Sequence, residues 1–518
     1  MVLPTLSHIL RSSAAAPNLG TCILEVPFAT VTVTPVSIAN AAKYKYRLLD
    51  CRAFAERKSL RILEFEDLPE HKYGTISYVW RGLQPKDDSP PIIAIDGTKG
   101  NGKASVDLLR LACVALLRLG CDLVWLDGLC IIQGDKDDKD WQMQRMYGIY
   151  KKCKTCLVIP GGLLRLTELT EETTWIHRAW TLQEAIAPSS AECLFAWKDG
   201  DCTLQTNMST AVSEVEEGVA AIADMKSLLE TSLKADYRVS KFDEDSGVST
   251  ELPDGEQIKL LGQGSQLDAL IGALDLREQE GMENAIWRSS FMRTAKFPED
   301  NVFSIMGLMG VTLNTKAFKE GERLEATIAL MQAMLEKGHR AEWLGIATRI
   351  ENNPRLSTIP AFPEPNPDGR AVVTTAEGDK EVASLIDGWW MIADTPKGTL
   401  DVAGYLDFKA QAAPVRKRQD GSSRTGFASV DGRQWEVLPA SSGPLYAVVI
   451  GTKTPYLNGV YPSMVDPDSV VLMLVEERVG GKFCAIEYAF ISEDKTTGDG
   501  WGLKTFKVGG PTKNDTEA

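Results

Sequence analysis

Short apolar runs that stop abruptly at polar or aromatic residues dominate the first 200 positions. Tyr73–Val79 is followed by Trp80-Arg81-Gly82, Leu123–Leu126 by Asp127, and Thr155–Pro160 by Gly161-Gly162. Continuous apolar runs of this length are the pattern of strands buried on both faces, as in a parallel sheet. Between them the period changes. Leu108, Leu109, Ala112, Leu116 and Leu119 recur at helical spacing after Ser105, a candidate N-cap, and before Gly120. Met143, Met146, Ile149, Tyr150 and Cys153 do the same between an acidic start (Asp135–Asp140) and a basic end (Lys151, Lys152, Lys154), which complements a helix dipole. Trp175–Ala187 predicts a third helix and Glu192–Trp197 a further strand. With Ile92–Ile95 as a short second strand, the order β-β-α-β-α-β-α-β predicts an α/β domain with a mostly parallel sheet covered by helices.

Beyond residue 200 the pattern loosens. Residues 201–280 hold helical patches, and the polar stretch Phe242–Gln266 predicts a surface insertion. Leu324, Ile328, Met331 and Leu335 mark a firm helix. Prolines cluster at 354–367. Strand-like runs follow at Trp389–Ala393, Leu445–Ile450, Val470–Val475 and Phe483–Ile491, separated in part by a polar loop over Gln411–Gln434. The expected organisation is an N-terminal extension (1–40), an α/β domain (41–200), a helical extension with a surface insertion (201–350) and a β-rich C-terminal domain (351–518). A length of 518 residues agrees with more than one core.

Charge and composition narrow the function. With 56 Lys and Arg against 71 Asp and Glu, the net charge is −15, which argues against a general nucleic-acid binder but leaves room for a small anion in a local basic pocket. No run reaches the roughly 20 apolar residues of a membrane helix, and Met1–Thr21 lacks the apolar core of a secretory signal. The ten cysteines are scattered, several inside apolar runs, the usage of reduced thiols in a cytoplasmic protein. Cys153 and Cys156 form a lone C-x-x-C without a second pair at zinc spacing.

Three chemically loaded segments fall at the ends of these elements: Tyr73–Trp80, Leu123–Gln133 and Trp175–Glu184. Their order and spacing suggest one site built at the C-terminal edge of the sheet. Asp127 ends its strand, where it either orients a ribose or holds Arg178 in a buried pair. Arg81 either meets a phosphate or is a solvated loop residue. Trp80 either stacks on a base or packs. Trp180 and Glu184 share one face of a helix. Glu184 is a carboxylate for chemistry, or else pairs with Arg178 or caps the helix. Cys130 with His177 is a weaker nucleophile–base arrangement, and Gly161-Gly162 a weak phosphate loop.

The same three segments resemble the fungal heterokaryon-incompatibility (HET) domain, whose pattern runs roughly Y-x-x-L-S-Y-x-W-G, L-W-I-D-x-L-C-I-N-Q and R-x-W-x-x-Q-E. Arg293–Asp300 with Val302–Leu308 is similar to the segment that commonly follows it. Two departures stand out: Arg81 is inserted between Trp80 and Gly82, and Ile132 replaces the asparagine before Gln133. The resemblance implies a role in fungal non-self recognition and programmed cell death. It also implies a remote relation to TIR domains, hence a flavodoxin/TIR-like sheet. Trp180-Thr-Leu-Gln-Glu184 is similar to the TIR stretch W-C-x-x-E, whose glutamate cleaves NAD in some members. The resemblance therefore implies Glu184 and Asp127 as catalytic residues, and Tyr78, Trp80, Arg81, Arg178 and Trp180 as the binding surface for NAD(P), a substrate rather than a resident cofactor. The alternatives are another chemistry on the same scaffold, acting on some other metabolite, and a non-catalytic module that works by self-association.

Overall fold

The computed structural model of the chain describes residues 20–85, 91–98, 102–206, 208–233, 237–243, 248–255, 257–418, 426–439, 443–455, 469–497 and 499–511. The N-terminal part is built on one 12-stranded sheet. Its elements begin with β1 (Thr21–Pro27), α1 (Phe28–Val31), β2 (Tyr46–Asp50), α2 (Cys51–Ala55), β3 (Ser59–Phe65) and β4 (Tyr73–Tyr78). A separate two-stranded hairpin, β5 (Ile92–Ala94) with β6 (Lys103–Ser105), leads into α3 (Val106–Arg118). Then come β7 (Leu123–Trp125), α4 (Asp127–Cys130), α5 (Lys136–Lys152), β8 (Thr155–Ile159), α6 (Ala179–Ile186) and β9 (Ala191–Ala196).

The predicted helices α3 and α5 form where the apolar spacing places them. Ser105 caps α3 by accepting from Leu108 N, and Asp135 caps α5 by accepting from Asp138 N. All six residues of β4 and all five of β8 are buried, as the unbroken apolar runs require.

Parallel pairing is confined to β7-β4-β8-β9, so the expected mostly parallel sheet is instead mixed. Antiparallel β2, β3 and β1 extend it on one side. On the other side lie β10 (Cys202–Gln205), β11 (Ser209–Glu216), β12 (Ala220–Asp224), β13 (Tyr237–Asp243) and β14 (Val248–Gly255), in the order β9-β12-β11-β10-β13-β14. The expected boundary at 200 therefore falls inside the sheet, and residues 202–255 are mainly strand. Strands of alternating burial such as β11 face the core on one side only, a weaker signal than a continuous run. Within Phe242–Gln266, β14 pairs with β13 as an edge hairpin, and Ser265 opens the helix α8 described next. β1 likewise occupies part of the expected N-terminal extension, as an edge strand on β3.

Helix α7 (Met225–Ser232) packs on the sheet, and α8 (Ser265–Asp275), α9 (Met282–Phe291), α10 (Asp300–Met306) and α11 (Arg323–Glu336) follow. The C-terminal region is β-rich, as expected. Its long strands Leu406–Lys417, Leu445–Pro455, Val470–Arg478, Lys482–Ile491 and Gly502–Val508 pair in a closed ring, because Leu406–Lys417 bonds to both Leu445–Pro455 and Gly502–Val508. Phe408, Tyr446, Phe483 and Phe506 pack together between these strands. The first seven residues of the expected polar loop Gln411–Gln434 belong to this ring; part of the remainder, 419–425, lies outside the described residues. Helix α9 fastens the two regions together. Asn284 Oδ1 accepts from Ile392 N at 3.1 Å, and the Arg288 guanidinium lies 3.8 Å from the centre of the Trp390 ring.

Candidate functional site

The register of the central strands decides what meets. Thr75 of β4 lies opposite Trp125 of β7, so Tyr78 and Asp127 emerge side by side at the C-terminal edge. Tyr78 Oη donates to Asp127 Oδ1 at 2.6 Å and Trp80 Nε1 to Oδ2 at 2.7 Å. Gly128 N also donates to Oδ1, at 2.6 Å. Both carboxylate oxygens are thus taken by neighbouring strand ends. Gln133 Nε2 donates to the Asp127 carbonyl at 2.8 Å, closing the loop below.

The Trp175–Glu184 segment crosses this edge. A helix is expected over 175–187, but Trp175–His177 is a 3-10 turn and α6 starts only at Ala179. Arg178 between them is extended because it bridges to Thr294: Thr294 N donates to His177 O at 2.7 Å, and Ala179 N to Thr294 O at 2.9 Å. Trp180 and Glu184 nevertheless both lie on α6, as their spacing predicts. Glu184 accepts from Ser77 Oγ at 2.5 Å, and Ser77 Oγ in turn accepts from Trp175 Nε1 at 2.8 Å.

Glu184 is 7% exposed, and burial lifts its pKa to about 7 against the Ser77 hydrogen bond and the Arg178 charge, which both favour the anion. Burial also raises Asp127, opposed by its Tyr78 and Trp80 bonds and by Arg178. Asp300, beside the Trp180 indole, is pushed by burial to about 7, again with Arg178 acting in the other direction. The Arg178 charge therefore acts on three carboxyl groups, and the residue is half-buried, like Trp80, Asp127 and Trp180. Behind α6, the fully buried Arg293 donates to Arg178 O at 3.1 Å and Thr181 Oγ1 at 2.8 Å; burial lowers its pKa to about 9, opposed by the Glu184 charge.

Of the residues singled out from sequence, Tyr78, Trp80, Asp127, Arg178, Trp180 and Glu184 converge on one cluster. Arg81 is exposed just past β4. Ile132, at the asparagine position, is 5% exposed, and its backbone N donates to Asp138 Oδ2 at 3.1 Å. It lines a small recess together with Val36 and Ile38, and the site holds no amide there.

Gly161-Gly162 serves a backbone crossing. A Cβ on Gly162 would lie 2.8 Å from Gly82 Cα, and Leu83 N donates to Gly161 O at 2.8 Å. Cys130 is buried with its pKa pushed up to about 12, whereas His177 contacts Gln266 at Nδ1, 3.0 Å away, and burial lowers its pKa to about 4. A thiol held that high is not the ion a nucleophile needs. Cys153 and Cys156 are free and buried. No group of side chains that could hold a metal occurs among the described residues, and no helix among them is long and apolar enough to cross a membrane.

Sequence reading missed Ser77, Trp175, Arg293 and Asp300. The signal for Ser77 was a hydroxyl inside a wholly buried strand, one residue before the strand end. That for Asp300 was an acidic residue opening α10.

The buried carboxyls make a stability prediction. Glu184, Asp300 and Glu342 rise by burial to about 7 and Asp268 to about 6, all above their unfolded values. Their contribution is complete below pH 4 and is lost as pH rises through 6 to 7. His177 acts oppositely, since its depressed folded value removes stability as pH falls below 6.5 toward 4. Four carboxyls outweigh one histidine, so thermal unfolding should occur at a higher temperature at pH 5.5 than at pH 8. An equal or reversed order would show that these groups are already charged in the native protein.

Residues 73–164 match the family model described as heterokaryon incompatibility protein (HET). No curated protein and no solved structure matches the chain. The matched stretch contains β4, β7, α4 and β8 and so supplies Ser77, Tyr78, Trp80 and Asp127, while Arg178 and Glu184 lie just beyond it. The heterokaryon-incompatibility domain that the sequence resembles is therefore matched over residues 73–164 of the chain.

Proposed function

We propose that this protein acts in fungal non-self recognition and cell death, and that its edge-of-sheet cluster cleaves the nicotinamide–ribose bond of NAD(P). One observation carries the reading. Separate chain segments bring Trp80, Asp127, Arg178, Trp180 and Glu184 together where the parallel strands end. Counted by appearance in the chain, those strands lie in the order 2-1-3-4, the beginning of the flavodoxin-type doubly wound order, in which ligands bind beyond the carboxyl ends of the strands. The order supports the flavodoxin/TIR-like expectation, and with it a nucleotide ligand.

In the proposed reaction the C1′–N bond breaks and nicotinamide departs as a neutral molecule with the bonding electrons. The ribosyl cation is stabilised by the Glu184 carboxylate; water then adds to C1′ and releases a proton. In this reading Arg178 pairs with a phosphate and Trp80 stacks on a ring, and the cytoplasm is where such a dinucleotide would be met. Because Glu184 must be ionised, nicotinamide release should rise as pH increases through about 7. Glu184→Gln should reduce release by about 100-fold or more.

A second reading, assembly without chemistry, is favoured by the low exposure of Glu184 and the occupation of its Oε2 by Ser77. The decisive assay is nicotinamide release by concentrated, assembled full-length protein supplied with NAD or NADP. Absence of release, together with a Glu184→Gln protein that still self-associates and kills cells, overturns the enzymatic reading in favour of the scaffold.

A further inference from the structure

A recess apart from the strand-end cluster is lined in part by α5, α6 and α10. It has a volume of about 530 Å³, within the range of small-molecule sites. Tyr46, Met143, Tyr147 and Met306 form much of its wall. Tyrosine rings and methionine thioethers favour a flat aromatic guest, through ring contacts and sulfur–ring contacts. Its charged lining balances, Asp67 and Glu70 against Arg145 and Lys152, and Lys152 pairs with Glu70 at 2.6 Å. The recess therefore offers little net charge to a ligand.

Gln183, the neighbour of Glu184, also lines it. Gln183 is 2% exposed, and its Nε2 has no hydrogen-bond partner among the described residues. A buried amide N–H left unpaired is costly and calls for an acceptor.

We propose that this recess binds a small neutral aromatic compound bearing a carbonyl group, whose oxygen accepts the Gln183 Nε2 hydrogen bond once that enclosed amide turns into the recess. The site is distinct from the Glu184 cluster, and its occupancy is read without any enzymatic activity, so the fate of the NAD(P) reading does not decide it.

Gly148 gives a clean means of blocking the recess. It lies in α5, lines the recess, and a Cβ added there meets no atom within 4 Å. Gly148→Met should fill the space without lowering the unfolding temperature, because a helical glycine is replaced by a better helix former. The experiment titrates full-length protein with benzamide, benzoate and benzylammonium by calorimetry and ligand-observed NMR. Benzamide should bind saturably, with the two charged compounds at least tenfold weaker. Gly148→Met and Gln183→Leu should each weaken benzamide at least tenfold. If Gln183→Leu does not fold, Gly148→Met carries the test. No saturable benzamide binding, undiminished binding by Gly148→Met, or charged compounds binding as tightly as benzamide overturns the proposal.

Discussion

Asp138→Ala should lower the stability of the chain by about 3–5 kcal/mol, the range for removing one partner of a buried ion pair. Asp138 and Arg47 are both fully buried. Arg47 Nη1 and Nη2 each donate to one Asp138 oxygen at 3.0 Å, a bidentate pair. The same carboxylate accepts from Tyr44 N at 3.1 Å and Ile132 N at 3.1 Å, and Arg47 also donates to Cys130 O at 3.0 Å. The pair therefore ties β2 and α5 to the loop that follows Asp127. Alanine leaves the buried guanidinium with only the more distant Glu64 carboxylate, 3.6 Å from Nε, and frees two backbone N–H groups. The double variant Arg47→Met, Asp138→Leu removes both charges and should recover part of the loss. Denaturant unfolding of the single and double variants checks this. A single-variant loss under 1 kcal/mol would show that water reaches the pair.

Asp127→Ala should cost on the order of 3 kcal/mol, because three donors lose their acceptor at once. Asp127→Asn retains one oxygen and should cost about half as much. This separates the two roles weighed for Asp127. A residue whose oxygens are both held by Tyr78, Trp80 and Gly128 is expected to organise the strand ends, so its loss should appear in unfolding midpoints. Tyr78→Phe in a double-mutant cycle with Asp127→Ala should reveal a coupling of about 1 kcal/mol or more. Should Asp127→Ala leave stability untouched while abolishing nicotinamide release, Asp127 belongs to the chemistry and not to the frame.

Arg178 and Arg293 show how two arginines bordering the same helix come to differ. Arg178, the extended residue before α6, stays half-buried; Arg293 is wholly enclosed and bonded to the Arg178 carbonyl. Neither distinction is visible in the residue types.

What the sequence determined by itself is local and strongly periodic. The apolar runs Tyr73–Val79 and Thr155–Pro160 are buried strands because no register of such a run exposes a polar face. Helices α3 and α5 follow from their stripes and caps, and the long C-terminal strands from their β-branched runs. The convergence of Tyr78, Trp80, Asp127, Arg178, Trp180 and Glu184 was also legible, since parallel strands deliver their ends to one edge. Tertiary structure alone decided the rest. Half-buried strands such as β11 and edge strands such as β1 earn their state from pairing with distant partners. The late start of α6 depends on Thr294, more than a hundred residues away in the chain. The Ser77 bond to Glu184, the Trp175 bond to Ser77, and the burial that raises the Glu184 pKa arise only when three segments close on one another. Hydrogen bonds and desolvation between remote residues leave no periodic trace along a chain, and they decide whether a carboxylate is a charge, an acid or a strut.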